Sequence, residues 1–352
     1  MEQLTVNDFS LLGNLIKGKK IFLIHGGSYN SLPVKAYFEN LPRVEFTAFS
    51  PNPKYEQIAE GVKLFNDSRC DLIVAVGGGS AIDVAKCVKL FCKMDENENY
   101  LSQKPFDTGV SLIAVPTTAG SGSEATKNAV IYYQGAKQSV AHPSLLPNAV
   151  LLEPSVLKFL PLYQKKCTMF DALCQAIESF WSANSTPESK ELCKKAILLI
   201  KENRREYIEE NTLAAAEKIM LASNLAGKAI NITATTAPHA MGYKITTMYN
   251  LPHGHAVALC MSAVWEYILG NIDRCSDIRG KEYLNQMLSE LPVTLDEFNA
   301  LLQELQIEKP KSNDREKDID ALVAAVNTAK LKTTPVEIDL PALRDFYSKI
   351  VD

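Results

Sequence analysis

The 352-residue sequence lacks any CxxC pair among its eight cysteines, at positions 70, 87, 92, 167, 174, 193, 260 and 275. That spacing excludes the paired-cysteine motifs, and the expectation is eight reduced thiols. The opening Met1-Glu-Gln-Leu-Thr-Val-Asn-Asp8 has no basic stretch leading into an apolar one, and no apolar run approaches the length of a membrane span. A cytoplasmic protein is therefore expected. A formal charge of −4 excludes general nucleic-acid binding and a polybasic membrane-binding face, while leaving room for a local basic pocket that takes an anionic substrate. No internal repeat is present.

The first half alternates strand and helix signals. Short apolar runs at 20–25, 44–49, 71–76, 112–115 and 149–152 end at glycine, proline or small polar residues, and 55–66 has helical periodicity. The alternation predicts an α/β domain over 1–154 with a largely parallel sheet. From about Leu157 the periodicity is helical, with helices expected over 188–202, 213–230, 256–270 and 317–329, so 155–352 reads as an all-α domain. The charged stretch from Glu308 to Asp318 reads as a solvated loop.

Two small-residue loops follow predicted strands. In Gly77-Gly-Gly-Ser-Ala-Ile-Asp83-Val-Ala-Lys86 a strand passes into a helix, where backbone N–H groups and the positive helix end can cradle a pyrophosphate. Neither the G-x-G-x-x-G nor the P-loop pattern fits, and a tight turn needing glycine for its dihedrals is the plainer alternative. Thr117-Thr-Ala-Gly-Ser-Gly-Ser-Glu124 is the second loop. Two such loops at successive strand ends favour a nucleotide.

Three of the five histidines fall in His239-Ala-Met-Gly-Tyr243 and Leu251-Pro-His253-Gly-His255, and Asp171 and Gln175 stand four apart on one face of a predicted helix. Asp, His and His suit a borderline divalent ion such as iron or zinc; Gln offers a weak neutral oxygen. A helix N-cap at Asp171 and a buried, hydrogen-bonded histidine pair are the non-metal alternatives.

In order and spacing, the two glycine loops, Phe170-Asp-Ala-Leu-Cys-Gln-Ala-Ile-Glu178 and the histidine block resemble the iron-containing (group III) alcohol dehydrogenase family over nearly the whole chain. The resemblance implies a dehydroquinate synthase-like fold: a nucleotide-binding α/β domain, an all-helical domain, and dinucleotide and metal meeting in the cleft between them. It places Asp171, Gln175, His239 and His253 at the four metal-ligand positions, with Gln175 where His is usual. The expected cofactor contacts are Gly26, Ser28, Gly77, Gly78, Gly79, Ser80, Asp83, Thr117, Thr118, Ser121 and Lys137. Within the family, the blocks around Gln175 and His239 are similar to phosphonoacetaldehyde reductases, which implies reduction of phosphonoacetaldehyde to 2-hydroxyethylphosphonate by a homodimer.

Tyr243 stands where many members carry a second histidine near the nicotinamide. A phenol there can relay a proton, though with an ordinary pKa near ~10 it is a poorer acid than imidazole; His255 is the other candidate donor. NAD-using members often carry an Asp at the end of the first strand. Here Gly26 stands there, so a 2′-phosphate is tolerated, with Ser28, Tyr29, Asn30 or Lys35 as partners, and NADP(H) is expected over NAD(H). For an anionic aldehyde, Lys127, Asn128, Lys244 and His142 are the candidate contacts. A general short-chain aldehyde reductase, a dehydroquinate synthase-like enzyme and a non-catalytic nucleotide-binding relative with a decayed metal site remain alternatives.

Overall fold

A computed structural model describes residues 3–352, apart from the side chain of Ala329. Two compact units divide the chain: Met1–Leu160 with Asn211–Asn224, and Pro161–Glu210 with Leu225–Asp352. The segment 211–224, which the periodicity alone places in the helical half, thus belongs to the α/β unit. Among the described residues no helix is long and apolar enough to cross a membrane.

The first unit is built on a six-stranded, all-parallel sheet of β1 (Leu4–Val6), β2 (Ile21–His25), β3 (Arg43–Phe46), β4 (Leu72–Gly77), β5 (Ser111–Pro116) and β8 (Ala149–Leu151), in the order β1-β8-β5-β4-β2-β3. Strands buried on both faces are continuously apolar, which is why the runs at β2, β4 and β5 were legible without alternation. Helices α1 (Gly13–Ile16), α2 (Tyr55–Ser68) and α3 (Gly79–Phe91) complete the layers. The chain runs outward from β2 to β3, then returns past β2 to β4 and proceeds the other way to β5 and β8. The carboxyl ends of β2 and β4 therefore flank a topological switch point, where open α/β sheets bind ligands. Gly26 and the Gly77–Gly79 loop emerge there. The glycines answer to close approach: Gly78, at φ −74°, needs no left-handed dihedral.

An antiparallel hairpin, β6 (Asn128–Tyr133) and β7 (Ala136–Ala141), lies outside the parallel sheet and adds to the predicted strands. Gln134 and Gly135 turn it, both at positive φ, as a two-residue hairpin loop requires. Lys86 of α3 anchors its entrance. Fully buried, its ammonium donates to the Ser123 carbonyl at 2.6 Å, Ser123 Oγ at 3.1 Å, Thr126 Oγ1 at 3.0 Å and the Asn128 carbonyl at 2.6 Å. Asp83, three residues earlier, accepts from Ser123 Oγ at 2.6 Å and the Val130 N–H at 3.0 Å. Burial lowers the Lys86 pKa to about 8 against the opposing charges of Asp83 and Glu124.

The second unit is helical: α4 (Leu162–Trp181), α5 (Pro187–Arg205), the later part of α6 (Leu213–Thr233), α7 (Ala237–Met248), α8 (His253–Gly270), α9 (Lys281–Ser289), α10 (Leu295–Glu304), α11 (Arg315–Ala324) and α12 (Leu340–Ile350). The helix expected over 317–329 ends at Ala324, and a 3-10 segment covers Thr328–Thr333. The expected loop at 308–318 stops at Asp314, whose carboxylate accepts from the Lys317 N–H and caps α11. Helix α4 is the spine of this unit, buried almost throughout from Met169 to Trp181.

Replacing Lys86 by Met should leave two carbonyls and the Asp83 carboxylate without their cation. The expected cost is about 3–5 kcal/mol of stability, read as a lowered urea midpoint; an unchanged midpoint would rule out this anchoring role.

Candidate metal and cofactor site

On α4, Asp171, Gln175 and Glu178 recur at i, i+4 and i+7, so one buried face carries three polar side chains. Helix α7 brings His239 and Tyr243, and α8 opens at His253. The α4–α8 approach is set by Gly254, where a Cβ would fall 1.9 Å from the Cys167 carbonyl oxygen and 2.9 Å from Asp171 Cβ. Only glycine lets His253 sit this close to Asp171.

Ligand atoms of Asp171, His239 and His253 all lie within 4.8 Å of one another. His239 Nε2 is 3.2 Å from Asp171 Oδ1. Its Nδ1 contacts Glu178 Oε2, and since a carboxylate only accepts, Nδ1 carries the proton and Nε2 faces Asp171. Fully buried, Glu178 also accepts through Oε1 from the Thr236 N–H and hydroxyl, both at 2.8 Å, and from the His239 N–H at 3.3 Å. The same carboxylate thus caps α7 and orients the imidazole.

His253 Nδ1 lies 3.3 Å from Thr246 Oγ1, whose single proton goes to the Gly242 carbonyl at 3.0 Å. The hydroxyl can then only accept from Nδ1, which leaves Nε2 of His253 for a metal. Burial would lower the His239 pKa, yet the Glu178 charge and the hydrogen bonds with Asp171 and Glu178 outweigh it and raise it to about 9. Burial likewise pushes Asp171 up, but the His239 hydrogen bond and the two histidine charges hold it below the usual carboxylate range. One carboxylate and two oriented imidazoles fit a borderline divalent ion.

Gln175 turns its amide Nε2 to Asp171 Oδ1 at 3.3 Å. A half-turn of the amide would place its oxygen there instead, facing the same centre. Tyr243 stacks on His253, with ring centroids 4.8 Å apart and planes 10° from parallel.

His255, the other candidate donor, has partners at both ring nitrogens. Its Nε2 is 2.7 Å from the Glu308 carbonyl, which only accepts, so the other nitrogen accepts from the Tyr163 hydroxyl at 2.8 Å. Both nitrogens are spent, and burial lowers its pKa, so it stays neutral. Lys244 and Lys127 are exposed. His142 caps a short 3-10 turn through Ser144, at 2.7 Å to Oγ and 3.2 Å to the backbone N–H. Asn128 lies in β6, its carbonyl taken by Lys86.

In the α/β unit the two small-residue loops touch. A Cβ on Gly78 would lie 3.3 Å from Thr118, and one on Gly79 would lie 2.9 Å from Ser121 Oγ. Thr117 donates its N–H to the Gly77 carbonyl at 3.0 Å, and Ser80 Oγ accepts from the Asn52 N–H at 3.3 Å. Gly78 caps α3 without a side chain, so the helix opens onto this loop pair, and glycine keeps it clear of Cβ atoms as a pyrophosphate requires. Asp83, expected at the cofactor, has both oxygens committed to Ser123 and Val130, and Lys137 adds a positive charge beside it. Asp83 thereby holds the second loop through Ser123. At the end of β2, Gly26 precedes a 3-10 turn on which Ser28 and Asn30 are exposed and Tyr29 is buried against His25, ring centroids 4.2 Å apart.

The residues missed from sequence are Glu178 and Lys86. Glu178 was recoverable from its i+7 spacing to Asp171, Lys86 from its place three residues after Asp83.

Residues 6–154 match the profile described as iron-containing alcohol dehydrogenase, and 166–351 match that family's C-terminal domain. The probable alcohol dehydrogenase EutG of Escherichia coli K12 is 34% identical over 223 residues, which is 61% of this chain and 56% of that protein. The phosphonoacetaldehyde reductase of Streptomyces viridochromogenes is 32% identical over 241 residues, 64% of this chain and 61% of that one. The chain thus spans little more than half the length of these curated relatives. The crystal structure of sulfoacetaldehyde reductase from Bifidobacterium kashiwanohense in complex with NAD+ superimposes with a TM-score of 0.86 at 24% identity, covering 99% of this chain and 96% of that one, a likeness of fold.

Glu178→Gln should weaken divalent-metal binding about 10- to 100-fold by releasing the His239 tautomer. Calorimetric titration of the metal-free protein checks this, and undiminished affinity would refute the orienting role.

Proposed function

The chain belongs to the iron-containing alcohol dehydrogenase family, and from that premise we propose that it is a metal-dependent, NADPH-linked reductase of a short anionic aldehyde, converting phosphonoacetaldehyde to 2-hydroxyethylphosphonate. The observation that carries the reading is the convergence of Asp171, His239 and His253 within 4.8 Å. The likeness to the Streptomyces viridochromogenes reductase supports the substrate. Iron or zinc suits the donor set. When bound, such an ion polarises the aldehyde oxygen, and the reduced nicotinamide supplies the hydride.

The chain's own residues do the rest. Asp171, His239 and His253 hold the ion, with Glu178 and Thr246 orienting the two imidazoles. Tyr243 gives its phenolic proton to the nascent alkoxide oxygen, a role supported by its stacking on His253. Gly77, Gly78, Gly79, Thr117, Thr118 and Ser121 receive the pyrophosphate, and Ser28 and Asn30 meet the adenosine ribose, where the absence of a carboxylate at Gly26 admits a 2′-phosphate. A cytoplasmic homodimer completes the proposal.

A second reading, reduction of uncharged short aldehydes, is favoured by the likeness to EutG. Loss of NADPH absorbance decides between them: phosphonoacetaldehyde should be reduced at least about tenfold more efficiently than propanal, a difference of about 1.4 kcal/mol in transition-state binding. Equal efficiencies would sink the anionic substrate, and faster turnover with NADH would sink the cofactor preference.

Gln175→His should raise metal affinity at least about tenfold, because a neutral imidazole is a better donor than an amide oxygen. Metal retained after dialysis against a chelator is the measure; retention no better than that of the unaltered protein would mean that Gln175 is not the weak element of the site.

A further inference from the structure

The proposed substrate carries negative charge, and of the lysines the sequence suggests for it, Lys244 belongs to the helical unit and is exposed beside Tyr243. The helical unit holds a different cation. Lys330, half-buried on the 3-10 segment Thr328–Thr333, sets its ammonium 5.0 Å from the centroid of the Tyr243 ring. That ring is the one stacked on the metal-binding His253. A single aromatic side chain thus touches both a ligand imidazole and a lysine ammonium.

Two further observations mark this lysine. Among the described residues no carboxylate lies within ion-pair distance of it, whereas other lysines of the same unit are paired, as Lys349 is with Glu266 and Asp345. Burial lowers its pKa, with the negative charge of Glu178 pulling the other way. A cation withdrawn from water without a counter-ion is poised to receive an anion.

Its position is also fixed. Thr334 Oγ1 accepts from the Ala237 N–H at 3.1 Å, and the Thr333 hydroxyl shares its proton between the Thr235 carbonyl at 2.9 Å and the Lys330 carbonyl at 2.8 Å. The segment that carries the cation is therefore fastened to the start of α7, the helix that carries His239 and Tyr243.

We propose that Lys330 anchors the anionic end of the substrate, a tetrahedral oxyanion such as a phosphonate, while the aldehyde end faces Asp171, His239 and His253 and the Tyr243 ring forms the wall between. This rests on the proposed reduction of an anionic aldehyde and assigns that substrate's charged group to a residue. It makes Lys330 a determinant of specificity.

The test uses full-length, metal-loaded protein with Lys330→Met, which keeps the apolar stem, Lys330→Arg, which restores charge, and Lys332→Met, an exposed control on the same segment. Ethylphosphonate, which cannot react, probes binding directly. Lys330→Met should raise the KM for phosphonoacetaldehyde and the Kd for ethylphosphonate about 10- to 100-fold, the loss of one charge-assisted contact. Efficiency on propanal should stay within about twofold, Lys330→Arg should recover most of the loss, and Lys332→Met should change nothing. Equal losses on both aldehydes, or unchanged ethylphosphonate binding in Lys330→Met, would overturn the assignment. If the unaltered enzyme shows no preference for phosphonoacetaldehyde yet ethylphosphonate binding still needs Lys330, the substrate reading fails and the anion anchor stands; if the preference is present and survives Lys330→Met, the anchor fails alone.

Discussion

The contact between Glu178 and His239 is the constraint on which the helical unit's chemistry depends. A fully buried carboxylate must be compensated, because its desolvation is otherwise prohibitive. Glu178 is compensated three ways at once: by an imidazole, by a hydroxyl and by the N–H groups at the start of α7. Each of those partners belongs to the segment that positions His239. The interaction that satisfies the charge is therefore also the one that aims the ligand, and neither could be altered without the other.

Close packing supplies the complementary half. Glu178 places α7 against α4, and Gly254 lets α8 do the same, with no room for even a methyl group between it and the Cys167 carbonyl. Asp171 lies at the meeting of both contacts. An Asp and a Gln on one helix and two His far from them in sequence become neighbours because one polar face of α4 is covered by the starts of two other helices, where short side chains and glycine permit approach. In the α/β unit the same logic holds: Gly78 and Gly79 are required by the contact with Thr118 and Ser121, and the loop pair is then stabilised from beneath by Lys86 and Asp83.

Much of this was legible from the residues in order. The parallel strands announced themselves as unbroken apolar runs because that signal is local, and Asp171, His239 and His253 were legible as a donor set from their residue types and the family resemblance. What escaped was set by partners distant in sequence. Asp83 sits in a loop-like motif that suggests cofactor contact, but its oxygens go to Ser123 and Val130, about forty residues on. His255 differs from His253 by two positions, and on a helix that spacing turns it to another side, where Tyr163 and Glu308 take both nitrogens. Lys330, in a segment whose periodicity suggested one continuous helix, comes beside Tyr243 only because the helix stops at Ala324 and Thr333 and Thr334 fasten the following turn to α7.

Charge balance links the oddity at Gln175 to the cation at Lys330. The centre buries two carboxylates, Asp171 and Glu178, and their charges favour a proton on the His239 imidazole that lies between them. A divalent ion replacing that proton neutralises both. Gln175 adds a dipole and no charge, so the set gains no excess of negative charge from its fourth member, as it would from a carboxylate. With Lys330 nearby and unpaired by any carboxylate among the described residues, the summed charge of the loaded centre is positive. A positive, half-buried centre favours an anionic aldehyde over a neutral one before any direct contact is counted, because field lines there are only weakly screened. An exposed lysine would contribute far less, since water and salt would screen it. The neutrality of Gln175 and the burial of Lys330 thus act in the same direction, toward a substrate that brings its own negative charge.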